Sequence, residues 1–453
     1  MDELLWAGAD AQAEALRKRQ VTAPDLLEAV LDRAAALNPV LNAFRTVFTD
    51  SAREAAAAAQ RRIDAGEDAP LLGVPVAVKD DLDVTGDTTA KGGRPQFPPA
   101  AADSPVVANL RAAGAVLVGH TLTPERCLWP FTESLTYGAT RNPWDPARTP
   151  AGSSGGSGAA IAAGIVGAAT GSDGGGSIRL PAAANGIFGL KTTRGLLDLD
   201  EGWEGLGVTG PLGRRVADAA LLLDGMAGGG DYRAAVDADP GSLRIALVWR
   251  APTGRPPMEA AWRAAATTAA DRLRALGHTV VEDDPGLGAR PSPQFVVRYF
   301  RGVAADVDQL PHPEWLEPRT RRIAAVGRRV PDRVRDWARS AEAGLHARLA
   351  PFFDRYDAIL QPSWTRTPLP VGATHGRGMV TTMLGILPVM SYFPTWNVLG
   401  MPVAAVPVDR TPAGMPTGVQ LIGPQHSERR LLSLAAQYER AHPWADEHPD
   451  LPR

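Results

Sequence analysis

Between residues 150 and 195, glycine and serine occur at a density that ordinarily marks a flexible linker. Apolar runs break that reading. Ala159-Ala160-Ile161-Ala162-Ala163-Gly164-Ile165-Val166 and Ile187-Phe188-Gly189-Leu190 both have the composition of a core. Glycine this dense beside core segments indicates a backbone that must pass close to something or adopt positive φ. The stretch therefore belongs inside the fold, and whatever surrounds it must be built to hold it.

The surroundings read as α/β. A helix is expected over 24–37, where Pro24 stands in the first turn and Leu26, Leu27, Val30 and Leu31 follow at helical spacing. A second is expected over 50–65, Ala-rich and ending at Gly66. Gly73-Val74-Pro75-Val76-Ala77-Val78 is too short for a helix and reads as a buried strand ending at Lys79. Helix, turn and buried strand follow over 106–118. Farther on, strands are expected at 243–248, 279–282, 356–362, 401–407 and 418–423, with helices at 258–276 and 431–440. Residues 285–370 are mixed. No internal repeat or domain linker is evident, so the 453 residues read as one domain: N-terminal helices to about 66, a core from about 70 to 230, and a variable region from about 285 to 395.

Composition excludes several classes of function. A net charge of -3 gives no general attraction to nucleic acid or anionic membrane. The single cysteine, Cys127, allows no intrachain disulfide and no multi-cysteine metal site, which suits a reducing compartment. The start Met1-Asp2-Glu3-Leu4-Leu5-Trp6 lacks the pattern of a signal peptide, and no apolar run reaches the roughly 20 residues that span a bilayer. The expectation is a soluble cytoplasmic protein.

Two Gly-rich segments are candidates for chemistry. Gly152-Ser153-Ser154-Gly155-Gly156-Ser157 lacks the Gly-Lys-Ser/Thr ending of a phosphate cradle, and its plainest alternative is a tight loop before a helix. In Gly171-Ser172-Asp173-Gly174-Gly175-Gly176-Ser177-Ile178-Arg179, three glycines precede a serine. This is either a plain turn or a set of backbone N–H groups converging beside a hydroxyl, as acyl transfer requires. A serine nucleophile needs a base. Of the eight histidines none sits in a recognisable motif, and His120, His312, His442 and His448 read as structural or solvated. Lys79, at the end of an apolar strand, is the better candidate, since burial favours a neutral amine. The alternative is an exposed lysine neutralised by Asp80 and Asp81.

The segments ending at Lys79-Asp80, the Ser153 loop and the Ser177 loop together resemble the amidase signature. Their order matches, and Ser177 lies 24 residues after Ser153 (177 − 153), the spacing of that family. The likeness continues through Arg141-Asn142-Pro143-Trp144, Gly189-Leu190-Lys191, Trp396-Asn397, Met401-Pro402 and Gly418–Gly423. It is weakest between about 285 and 360. The resemblance implies a large mixed twisted β-sheet covered by helices on both faces. It also implies a catalytic triad: Ser177 as nucleophile, Ser153 (held by a cis peptide bond) as link and Lys79 as base, with the N–H groups of Gly174, Gly175, Gly176 and Ser177 as the oxyanion hole. Asp173 and Arg179 would brace the loop. No cofactor or metal is implied. Ala151, Asn185 and Thr192 depart from the commonest residues at their positions without removing a catalytic group.

By the same resemblance Cys127, Leu128 and Trp129 lie on one wall of the acyl pocket, and the stretch Met383–Trp396 adds a second apolar wall. The alternative for Trp129 and Phe131 is plain core. The expected substrate is a small aliphatic or aryl amide. A glutaminase subunit of a tRNA-dependent amidotransferase, a non-catalytic binding protein and an esterase or carbamate hydrolase share the scaffold. The basic run Arg319–Arg339 reads as a solvated helical face rather than an RNA contact, because acids surround it without aromatic interleaving. Homodimers are frequent in the family, and the sequence marks no interface.

Overall fold

Short apolar runs with no polar face can only be strands covered on both sides, and that is how they are used. A computed structural model describes residues 1–197, 202–252, 254 and 256–451. Among these, eleven strands form one mixed sheet. Its spatial order is Phe44–Val47, Val116–Thr121, Pro75–Lys79, Ala168–Ser172, Thr209–Gly213, Phe188–Lys191, Val403–Arg410, Pro416–Ile422, Ala358–Pro362, Arg244–Leu247 and Thr279–Glu282. Pro75–Lys79 runs parallel to both its neighbours, whereas Ala168–Ser172, Thr209–Gly213 and Phe188–Lys191 pair antiparallel in turn.

Alternation along the strands sends side chains into two separate cores. Ile245 and Leu247 join a cluster with Ala265, Leu273 and Leu431, while Ala246 and Val248 join another with Tyr299, Ile323 and Leu345. The first cluster is contributed by helices Ala260–Ala275 and Glu428–Ala441. The second comes from Pro291–Asp308, Pro318–Gly327 and Asp332–Phe353. Both faces of the sheet are therefore covered by helices, as the resemblance implies.

The expected elements form, with shifts that have physical causes. The first long helix is Ala23–Leu41, capped by the Thr22 hydroxyl, which accepts the Asp25 N–H at 3.2 Å. It outruns the expected end because Leu37 and Leu41 extend its buried stripe, and it stops at Asn42, whose φ is 51°. Two central strands were unforeseen. Ala168–Ser172 and Thr209–Gly213 are built from Ala, Gly, Thr, Pro and Ser with a single leucine, residues of low strand propensity. Pro211 is tolerated because the ladder to Phe188–Lys191 ends at Leu212. The basic run Arg319–Arg339 is not one helical face. It divides between two helices, and Arg319 turns inward over Trp129 and Phe131, at 5.0 and 5.3 Å from their ring centroids. Among the described residues no helix is long and apolar enough to cross a membrane.

Two buried carboxyls meet at the start of helix Val216–Ala227, one joining it to an N-terminal helix and the other to the C-terminal helix. Asp218 accepts the N–H groups of Asp10 and Arg215 at 2.9 and 2.8 Å, and Glu439 accepts that of Val216 at 3.0 Å. Burial pushes each of them up to about 7. The folded state therefore binds these protons more tightly than the unfolded chain. The stability they confer is full below the ordinary carboxylate range and is lost as pH rises through about 7. Glu439→Gln keeps the acceptor and removes the titration. Thermal unfolding between pH 5 and 8 is expected to show a flatter fall in midpoint for this variant than for the parent; an unchanged slope would contradict the assignment.

Candidate active site

Strand Pro75–Lys79 delivers Lys79 into the interior, where its side chain is fully buried. The backbone N–H is anchored to Thr170 Oγ1 at 2.8 Å. Lys79 Nζ lies 2.7 Å from Ser153 Oγ, 2.7 Å from Ser172 Oγ and 3.4 Å from Asp81 Oδ2. The two acids that follow the lysine part company. Asp81 stays with it and also accepts from the Ser172 hydroxyl, while Asp80 turns away to Arg45 at 3.1 Å. Burial alone pushes the Asp81 carboxyl up, but the Lys79 ammonium and the Ser172 hydroxyl outweigh burial and hold it below the usual carboxylate range.

Ser153 occupies the loop before helix Gly155–Ala162, and its peptide bond to Gly152 is cis. The residue before that glycine, Ala151, has φ of 66°, a conformation that explains why glycine is the commoner choice there. Asn185 is fully buried, and its side-chain amide closes the back of the loop by donating to the carbonyls of Pro150 and Pro181, both at 2.8 Å. Thr192 Oγ1 donates to the Thr209 carbonyl at 2.7 Å. Two of the three departures are thus accommodated by hydrogen bonds.

The turn from Gly174 to Ser177 hangs on a buried ion pair. Arg179 Nε and Nη2 each reach an Asp173 oxygen at 2.9 Å, both side chains having no exposure. Asp173 also accepts the N–H groups of Gly176 at 2.6 Å and Ile178 at 3.1 Å. Burial would raise the Asp173 carboxyl, but Arg179 more than offsets this and holds it far below its ordinary value. The Gly176 N–H is therefore committed to Asp173, which reduces the four expected oxyanion donors to three. Those of Gly174, Gly175 and Ser177 make no hydrogen bond among the described residues. Aromatic rings crowd the turn. A Cβ at Gly174 would lie 2.7 Å from the Trp203 ring, and one at Gly176 (φ 127°) 2.8 Å from that of Phe393.

Ser177 Oγ has no partner among the described residues and stands where two chambers meet. The larger, about 640 Å³, is lined by Ser153, Ser172, Asp81 and a group of charged side chains. The smaller, about 330 Å³, is apolar and is walled by Leu128, Trp129, Phe295, Tyr299, Met383 and Met390. Cys127 and Trp203 border both. Trp129 is a wall residue only 1% exposed, while Phe131, stacked on it at 5.8 Å, is core. Burial pushes the Cys127 thiol up, which disfavours the thiolate form. No histidine lines either chamber. His120, for one, is spent on Asp87 at 2.8 Å and the Leu82 carbonyl at 3.1 Å.

Sequence reasoning named Lys79, Ser153, Ser177 and residues of both apolar walls, and offered Asp81 only as a neutralising neighbour of an exposed Lys79; it missed Ser172, Trp203 and helix Pro291–Asp308. The last had a readable signal: Phe295, Tyr299, Gly302 and Asp306 recur at helical spacing, and all four line a chamber.

Comparison with known proteins gives the family. The family model described as Amidase matches residues 25–432. The chain belongs to the amidase signature family. It is thereby a hydrolase of carbon–nitrogen amide bonds. The Mycobacterium tuberculosis protein named "Putative amidase AmiB2" is 47% identical over 457 residues, 99% of either chain. The 6-aminohexanoate-cyclic-dimer hydrolase of Paenarthrobacter ureafaciens is 33% identical over 493 residues, covering 99% of this chain and 97% of that one. A solved structure of 6-aminohexanoate cyclic dimer hydrolase with substrate superposes with a TM-score of 0.87 at 30% identity, covering 98% and 99% of the two chains. A bacterial aryl acylamidase gives the same TM-score at 24% identity, a likeness of fold.

Removing one partner of a buried ion pair leaves an uncompensated charge and costs about 3–5 kcal/mol. Asp173→Ala is expected to lose stability on that scale, because Arg179 has no exposure to solvent. Urea unfolding checks this, and a loss below about 1 kcal/mol would show that the turn is held by something else.

Proposed function

We propose that the amidase of this chain acts through an acyl-enzyme on Ser177, with Ser153 and Lys79 as its proton relay, on amides with an apolar aliphatic or aryl acyl group. The observation that carries the reading is the 2.7 Å approach of buried Lys79 to Ser153, which borders the same chamber as Ser177. Neutral Lys79 takes the Ser153 proton as Ser153 takes that of Ser177, and the freed alkoxide attacks the amide carbon. The N–H groups of Gly174, Gly175 and Ser177 meet the oxyanion. Each such donor contributes roughly 3 kcal/mol to the barrier reduction. As the tetrahedral intermediate collapses, the carbon–nitrogen bond breaks and Ser153 passes a proton to the departing amine. Water then enters by the same relay and releases the carboxylate.

The two chambers assign the ends of the substrate. Ser153 lines the larger chamber and not the smaller. A group that protonates the leaving nitrogen must face it, so the amine points into the larger chamber and the acyl group into the apolar one. That lining fits an uncharged acyl chain better than the side chain of glutamine. The relatives that open the cyclic dimer of 6-aminohexanoate act on an aliphatic amide, in keeping with this reading.

The test is amide hydrolysis by the isolated chain across a panel from glutamine to aliphatic and aryl amides. Apolar amides are expected to be turned over. Ser177→Ala and Lys79→Met are expected to lower the rate at least about a thousandfold. Activity confined to glutamine, or unaffected by these substitutions, would overturn the reading.

A further inference from the structure

The larger chamber carries a charge that the hydrolytic steps do not use. Lys91 and Arg126 are joined by a backbone hydrogen bond, the Arg126 N–H donating to the Lys91 carbonyl at 2.7 Å. Both hold left-handed conformations, with φ of 46° and 53°. A non-glycine residue takes up such a backbone against its local preference, so it is the surrounding fold that holds these two side chains in position. Both side chains turn onto one carboxylate, Asp306. Arg126 meets it at two points, with Nε 2.7 Å from Oδ2, and Lys91 Nζ stands 3.9 Å from it.

The other charged side chains around the chamber have contacts of their own, so the local excess at Asp306 is not drawn off by them. Asp81 lies on Lys79, Asp173 on Arg179, and Glu204 lies 3.4 Å from Arg339. Two cations sharing one acid leave an excess positive charge on the wall, and the Arg126 side chain is only 7% exposed, where solvent screens it little. The chamber volume is that of an ordinary small-ligand site.

We propose that this chamber selects amides whose amine portion carries a carboxylate, recognised by Lys91 and Arg126. The substrates are then apolar acyl groups joined to an amino acid. Water supplies hydroxyl to the acyl carbon and a proton to the nitrogen, giving an apolar carboxylate and a free amino acid. The proposal rests on the preceding reading, in that it takes Ser153 to face the leaving nitrogen.

The experiment compares kcat/KM for N-octanoylglycine, its neutral counterpart N-octanoyl-methylamide, and the cationic amide of octanoate with ethylenediamine. Binding of the same three to Ser177→Ala is measured by calorimetry. A charge-assisted contact predicts a preference of roughly tenfold for the carboxylate over the neutral amide, and a further penalty for the cation. The carboxylate-to-neutral ratio is expected to fall toward unity in Lys91→Met and in Arg126→Gln, and to rise in Asp306→Asn. Lys91 is about one-third exposed, so its variant serves even if Arg126→Gln does not fold. Equal affinity for the three ligands, or a preference that survives Lys91→Met, overturns the proposal. If the binding preference holds while none of the three is hydrolysed, the hydrolytic reading fails and the charge recognition stands.

Discussion

The contact between Asp173 and Arg179 organises the turn that carries Ser177. A buried carboxylate and guanidinium are costly to desolvate and are tolerated only when every donor and acceptor is met. Here the pair gathers its partners from distant parts of the chain: the N–H groups of Gly176 and Ile178, the Asn397 side chain and Gln420 Oε1. Asn397 donates in turn to the Asp173 carbonyl and carboxylate. Through these bonds the Gly174–Ser177 turn is fixed to helix Pro394–Val398 and to strand Pro416–Ile422. A turn of three glycines would otherwise be the most mobile part of the molecule. Pinned in this way, it leaves the N–H groups of Gly174, Gly175 and Ser177 without a hydrogen bond among the described residues, beside the Ser177 hydroxyl.

The residues around Ser177 come from two parts of the fold. The sheet supplies Lys79 from the end of one strand and Ser172 from the end of its neighbour. The helices over the other half of the sheet supply the walls. Helix Pro291–Asp308 serves both chambers, offering Phe295 and Tyr299 to the apolar one and Gly302 and Asp306 to the charged one. One amphipathic element thus sets the polarity that a substrate meets on either side of Ser177.

What the sequence disclosed depended on how local the signal was. Lys79, Ser153 and Ser177 each had a plainer reading in isolation, and it was the order and spacing of their three segments, resembling the amidase signature, that singled them out together. Asp81 was offered as a neighbour of an exposed Lys79, but its place beside a buried one, and the meeting of Ser172 with both, arise only when two strands pair. Strands Ala168–Ser172 and Thr209–Gly213 were illegible for a related reason. Small residues are needed where backbones approach closely: a Cβ at Gly210 would lie 2.3 Å from the Leu190 carbonyl oxygen. Such residues carry no strand propensity, and their place in the middle of the sheet makes them strands. The twin demands on Trp129, wall and core at once, likewise follow from packing alone.

The account turns on a covalent bond to one serine. The most direct measurement is mass spectrometry of the protein quenched in acid during turnover of an apolar amide, followed by mapping of the modified peptide. The account predicts an added acyl mass on Ser177 and none in Ser177→Ala. An acyl mass on Cys127, Ser153 or Ser172, or turnover with no covalent adduct in a variant slowed at Lys79, would contradict it.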